Sequence, residues 1–331
     1  MRTPWLAPVL ALTGLGIMIA GYIFVPRETA AGWLIAFDFC AGIVLGSLGL
    51  ALIGRITGGA WYTALAPASA SAALLVPALL VTIVPVFGSE SLLFHWNATP
   101  PGVGALWLNA PGYIARSVAL LVLLSGLAVL RGRGFTMAAA AGGLVLYAFA
   151  CSVFAVDWVY AIHAGTMYTA FGAFLAVSSL ATALAFAILL TPGLAPGTAN
   201  DLGGILIAMV LGSLYLEFMD FMIAWYGDVP ARIAWYATRA TWPWPVLLWA
   251  ALIFGAFGPL FVLLASRTRF AALPLRSVAG AILLGSFAYE AWLVVPEFGW
   301  PALGFAGAGV LLLAALGVSF VRVRTRTVAA A

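Results

Sequence analysis

Ten long apolar runs, separated by short polar breaks, make up almost the whole chain. A helix needs about 20 apolar residues to cross a hydrocarbon layer of about 30 Å. The pattern therefore predicts membrane helices over residues 5–25, 33–54, 68–88, 112–130, 135–155, 164–191, 203–226, 244–266, 277–298 and 300–321. The sixth run is the longest and is expected to tilt. The first carries one preceding arginine and no small-x-small cleavage site, so it is expected to stay as a helix rather than be removed as a signal. No connection is long enough for a soluble domain. The expected fold is all-α, a single polytopic membrane domain over 1–331. Its topology permits two four-helix bundles, 33–155 and 164–298, flanked by 5–25 and 300–321.

Composition agrees. The chain is 65% hydrophobic and 7% charged, where a soluble domain carries about 25% charged residues. All 14 basic residues are arginine. If the N-terminus is cytoplasmic, Arg2, Arg55, Arg131, Arg133, Arg267, Arg269, Arg276, Arg322, Arg324 and Arg326 lie inside. Arg27, Arg232 and Arg239 then lie outside, which satisfies the positive-inside rule and places both termini in the cytoplasm. The net charge of +4 comes from arginines scattered over short loops, which is not a nucleic-acid footprint.

Cys40 and Cys151 fall within apolar runs, and no CxxC or CxxCH occurs. That excludes an iron–sulfur cluster, a c-type haem and a disulfide framework from this chain. The two histidines, His95 and His163, lie in outer connections and cannot form an axial pair for a membrane haem. Any redox centre must sit in another subunit. The outer connections 88–111 and 227–243 carry Trp96, Trp107, Trp235, Trp242 and Trp244. These suit an interfacial belt and a docking surface for a partner.

The charges within the spans are the candidate chemistry. Glu217 and Asp220 stand one turn apart at i and i+3, which puts them on one helix face. Carboxylates in lipid cost several kcal/mol, about 2.5–3.5 at the helix centre, unless neutralised, paired or hydrated. Two so close are not expected both to ionise, and one could pair with Arg116. Asp38 is expected about 8 Å down its helix. Glu290 lies about two turns from the outer end of the ninth span. Asp157 and His163 fall in the short fifth-to-sixth connection, where Asp157 could cap the next segment. Glu297 and Asp228 read as solvated interfacial charges. With these depths, acidity is confined to the outer half, and the inner half offers only hydroxyls such as Ser47, Ser69 and Ser71. That asymmetry fits either a hydrated proton pocket open to the outer face or a structural network that pins the helices.

Five segments carry a resemblance. They are "FDFCAGIVLGSLGLALIGRITGGAWY" (Phe37–Tyr62), "LWLNAPGYIARSVALLVL" (Leu106–Leu123), "DWVYAIHAGTMYTAFG" (Asp157–Gly172), "LYLEFMDFMIAWYGDVP" with the following "WYATR", and "AWLVVPEFG" (Ala291–Gly299). In this order they resemble the NrfD-like family of polysulfide-reductase membrane subunits, and within it the F-type membrane subunit of alternative complex III. The sequence departs from the family at several points. Gly165 stands at the family's histidine and His163 at its acidic residue. Asp220 replaces an amide, Glu217 is additional, and Gly54 and Arg55 replace paired histidines.

The resemblance implies a subunit of a quinol:acceptor oxidoreductase in a bacterial inner membrane. The implied partners are a paralogous quinone-binding membrane subunit, a periplasmic iron–sulfur, molybdopterin-like subunit, cytochrome c subunits carrying haem c, and a terminal oxidase. Quinol is oxidised in this chain or in its paralogue. Asp38, Arg116, Asp157, His163, Glu217, Asp220 and Glu290 are the expected proton-relay or quinone-pocket residues. The competing readings are a stand-alone transporter or channel, and a structural anchor for periplasmic redox subunits.

Overall fold

The computed structural model describes residues 5–94, 106–131, 134–162, 170–228 and 230–330. Among them are ten helices long and apolar enough to span a membrane. These are α1 (Leu6–Phe24), α2 (Pro26–Thr57), α3 (Ala60–Gly88), α4 (Ala110–Leu130), α5 (Met137–Ile162), α6 (Phe171–Leu190), α7 (Pro196–Gly227), α9 (Pro245–Leu264), α10 (Ala272–Phe298) and α11 (Pro301–Ala330), the last apolar to Val321. Between α7 and α9 lies a short amphipathic helix, α8 (Pro230–Ala240). Each of the ten expected runs contains one of these helices; residues 164–169 of the sixth lie outside the described residues.

Local chemistry sets the boundaries. Proline opens α2, α7, α9 and α11, where its missing N–H costs nothing. Asn109 caps α4 by accepting from the Gly112 N–H at 2.8 Å, and Thr136 caps α5 by accepting from the Ala139 N–H at 3.1 Å. Gly58 (φ 66°) and Gly59 (φ 104°) turn the chain between α2 and α3 in the left-handed region. α3 runs in shorter pieces, Ala60–Ala73, Val76–Ala78, Leu79–Thr82 and Val84–Gly88, with Pro77 and Pro85 opening two of the later ones and Pro67 inside the first. α5 and α9 each widen by one turn, at Ala155–Val159 and Ile253–Phe257.

Cross-links show which helix ends lie together. At one end, called upper here, the Trp33 Nε1–H donates to the Thr82 carbonyl (3.0 Å), Arg116 meets Asp157, and Arg239 Nη2–H donates to the Leu293 carbonyl (2.6 Å). At the lower end, Arg55 donates to the Phe135 carbonyl and Arg276 to the Thr191 carbonyl, both at 2.7 Å.

α2 is the central helix: it packs on α3, α5, α6, α10 and α11. Its contact with α6 is a close backbone approach. A β-carbon on Gly46 would lie 2.0 Å from the Ser179 carbonyl oxygen, whereas one on Gly42 would meet the Ser179 hydroxyl at 3.6 Å. Small residues four apart let membrane helices approach in this way. Gly46→Ala is therefore expected to cost about 1–3 kcal/mol by forcing α2 and α6 apart. Gly42→Ala is expected to be neutral. Thermal unfolding of the two variants in detergent checks the contrast.

Four expectations change. The sixth helix runs 20 residues from Phe171 and is not the long one; α2 and α7 reach 32 residues each. α5 continues to Ile162, so Asp157 belongs to a buried helical turn rather than a loop. The 227–243 connection is mostly α8. α7 begins at Pro196, which puts Asp201 in its lower turns as an exposed acid.

Candidate functional site: an acid-lined cavity among five helices

Three carboxyl groups from three helices meet at one cavity. Asp38 comes from α2, Glu217 from α7 and Glu290 from α10, while α6 and α9 complete the wall. The cavity holds about 100 Å³. At about 10–15 Å³ for each water, that is room for a short water chain. Asp38 lies twelve residues below Pro26, or about 18 Å, deeper than the sequence suggested. Glu217 lies ten residues from Gly227 and Glu290 eight from Phe298, about 15 and 12 Å from their upper ends. The three acids therefore share the upper half of the bundle, close to its middle.

Hydroxyls fill the wall between them. The Tyr289 hydroxyl donates to Glu217 Oε2 at 2.5 Å, and the Thr182 and Ser286 hydroxyls bond at 3.0 Å. Ser178, Ser179 and Ser213 also line the cavity, and among the described residues no Arg or His does. Asp38 is 7% exposed, and neither of its oxygens has a hydrogen-bond partner among the described residues; the Ser213 hydroxyl is likewise unpartnered. Asp38 also borders a smaller apolar cavity against Cys151, Phe154 and Trp158. A buried carboxyl with no partner is costly and rare. Water or a bound molecule in the cavity is the means to satisfy it.

Arg116 does not reach these acids. It forms a two-point pair with Asp157: Nε to Oδ2 and Nη2 to Oδ1, both 2.9 Å. The Trp107 indole N–H donates to the same carboxylate at 3.0 Å, and the guanidinium lies 4.2 Å over the Trp107 ring. Asp157 is fully buried, so it is an ion-pair anchor between α4 and α5 and not the cap of a following segment. The expected pairing of Arg116 with Glu217 or Asp220 does not form.

Glu217 and Asp220 also part company. Asp220, buried, hydrogen-bonds with Tyr236 of α8 and faces Arg232; it does not line the cavity. Arg239 fastens α8 above. It is 1% exposed, sits 3.9 Å over the Trp235 ring, and pairs with Glu297 at 3.6 Å. Glu297 is thus an ion-pair partner rather than a merely solvated charge. His163, the remaining expected site residue, lies outside the described residues, as does His95.

Sequence reasoning missed Tyr289, Ser213 and Ser286. The signal was present: Ser213 precedes Glu217, and Ser286 precedes Glu290, each by four residues. That spacing places hydroxyl and carboxyl on one helix face. It also missed Arg239 and Trp107, whose roles depend on contacts across helices.

No protein-family model and no curated protein matches this chain.

Proposed function

We propose that the chain is an integral membrane subunit of a quinol:acceptor oxidoreductase, and that its acid cavity takes up or relays protons on the outer side of the membrane. The observation that carries the proton role is the convergence of Asp38, Glu217 and Glu290 on one hydroxyl-lined cavity. Ionisable groups held at such cost inside a membrane mark ion or proton paths. The quinol link rests on the resemblance to NrfD-like subunits. In this reading the upper end is the periplasmic end, both termini are cytoplasmic, and partners carry the iron–sulfur and haem c centres.

The cavity does not open on a run of acids toward the lower end. There the described charged side chains are arginines and the exposed Asp201. A proton taken up at the cavity therefore has its shortest way out upward. This favours exchange with the outer face over pumping across the whole bilayer. The transporter reading has one feature in its favour, the broken α3. That break borders an apolar groove lined by Phe37, Val44 and Leu79, not the acids.

Extraction of the native membrane in mild detergent tests the assignment. The chain is expected to copurify with haem c and iron–sulfur polypeptides, seen by mass spectrometry and in the haem absorption bands. Recovery of the chain alone would overturn it. Reporter fusions at the two termini test the direction: a periplasmic signal from either one would turn the cavity toward the wrong compartment.

A further inference from the structure

Between α9 and α10 the chain turns at the lower end in a short basic stretch. α9 ends at Leu264, one helical turn follows over Ser266–Arg269, and α10 opens at Ala272. Arg267 and Arg269 lie in that turn, and Arg276 follows in the second turn of α10. The positive ends of α7 and α10, at Pro196 and Ala272, lie at this end too.

Arg269 is packed along its stem and unanswered at its head. Gly203 of α7 makes room for the stem: a β-carbon there would lie 3.3 Å from Arg269 Cγ and 3.5 Å from Leu263 Cδ2. The Arg269 Nε–H is enclosed, yet it has no acceptor among the described residues. Asp201, the described acid at this end, is exposed and stands two residues from Gly203, about 200° round α7. It therefore faces away from the arginine. Arg276 is only partly answered. Its Nη2–H donates to the Thr191 carbonyl at 2.7 Å, while its enclosed Nε–H also lacks an acceptor. A guanidinium offers donors in a fixed fork that matches phosphate oxygens. Enclosed cationic donors without acceptors are costly, and an anion from outside the chain is the means to satisfy them.

The surroundings say which anion. Phe261 (84% exposed), Leu264 (67%) and Leu273 (77%) flank the arginines, and Phe270 beside Arg269 is exposed as well. Phe257, Phe261 and Leu264 stand at i, i+4 and i+7, one outward stripe of α9. The arginines stand where the apolar spans end, at Leu264 and Ala272. Hydrocarbon gives way to headgroups at that level. A soluble anion would use the charge alone, whereas a phospholipid uses the charge and the apolar stripe together.

We infer that the α9–α10 turn binds the phosphate of an anionic phospholipid. Arg269 is the anchoring donor, Arg267 and Arg276 raise the positive field around it, and the acyl chains lie along the lower stripe of α9. The acid cavity has no part in this site. Both leaflets present phosphates, so the site stands whichever way the bundle faces; in the orientation proposed above it meets the cytoplasmic leaflet.

The test is photolabelling of the detergent-extracted protein, with whatever partners it retains, by phosphatidylglycerol carrying a diazirine in one acyl chain. Label is expected on peptides spanning Phe257–Leu273. Excess phosphatidylglycerol should compete it away. Phosphatidylcholine, whose choline offsets the phosphate charge, should compete poorly, and inorganic phosphate at matched ionic strength should not compete. Arg269→Gln should cut labelling at least ~fivefold. Arg269→Lys, which keeps the charge and loses the planar fork, should recover part of it. Arg131→Gln, which removes one charge from the lower end of α4, should leave it unchanged. Competition on the wild-type protein decides even where a variant fails to fold. Equal displacement by phosphatidylcholine overturns the inference, and so does displacement by inorganic phosphate, which would make this a site for a soluble anion. Label scattered over the spans, or lowered equally by Arg269→Gln and Arg131→Gln, overturns it too. If label appears only after partner subunits are stripped away, an acidic segment of a partner covers the arginines and the lipid assignment fails.

Discussion

Arg116→Ala is expected to destabilise the protein by about 3–5 kcal/mol, the largest loss of any single change considered. Asp157 is fully buried, and two of its three side-chain hydrogen bonds come from this guanidinium. Removing the cation leaves a carboxylate in low dielectric with one indole N–H to stabilise it. Arg116→Lys should recover only part of the loss. A single ammonium cannot reproduce the two parallel bonds, nor stack as a planar group over Trp107. The pair itself need not be stabilising relative to apolar residues. Arg116→Leu combined with Asp157→Leu is therefore expected to lie well above Arg116→Ala. Thermal unfolding of the four proteins in one detergent checks the order. If Arg116→Ala unfolds at the wild-type temperature, the pair is not what ties α4 to α5.

The ten helices were legible because one physical demand, satisfying the backbone in lipid, fixes both the length and the composition of a span. Their ends were less so. α2 and α7 overrun their apolar cores by a turn or more at Pro26 and Pro196, where proline begins a helix among polar residues. The charged partners were the hardest to read. The i, i+3 spacing of Glu217 and Asp220 put them on one helix face, yet Glu217 lines the cavity and Asp220 does not. It could not say that α8 would fold back to take Asp220, because that depends on Arg239 reaching Leu293 across more than fifty residues. Arg116 was assigned to the wrong acid for the same reason. Asp157 looked like a loop residue until α5 was seen to continue through a widened turn.

The separation of the acids makes a sharper test than treating them as one group. Asp38→Asn, Glu217→Gln and Glu290→Gln each remove a titratable proton at the cavity while keeping the side chain's shape and most of its hydrogen bonding. A positioned proton acceptor contributes about 10²–10⁴-fold. Each change is therefore expected to lower quinol-dependent turnover by about 10-fold or more per intact complex. The double variant Asp38→Asn, Glu217→Gln should fall furthest. Asp220→Asn is expected to do less, because Asp220 is outside the cavity wall and engaged by Tyr236. Turnover must be normalised to assembled complex, measured by haem content and subunit stoichiometry, so that a folding defect is not read as a chemical one. If all three cavity variants turn over at the wild-type rate in assembled complexes, these carboxyls serve packing alone. The chain would then be an anchor for its redox partners. If Asp220→Asn is the most damaging, the proton leaves through α8, and the site moves one helical turn upward from where the cavity puts it.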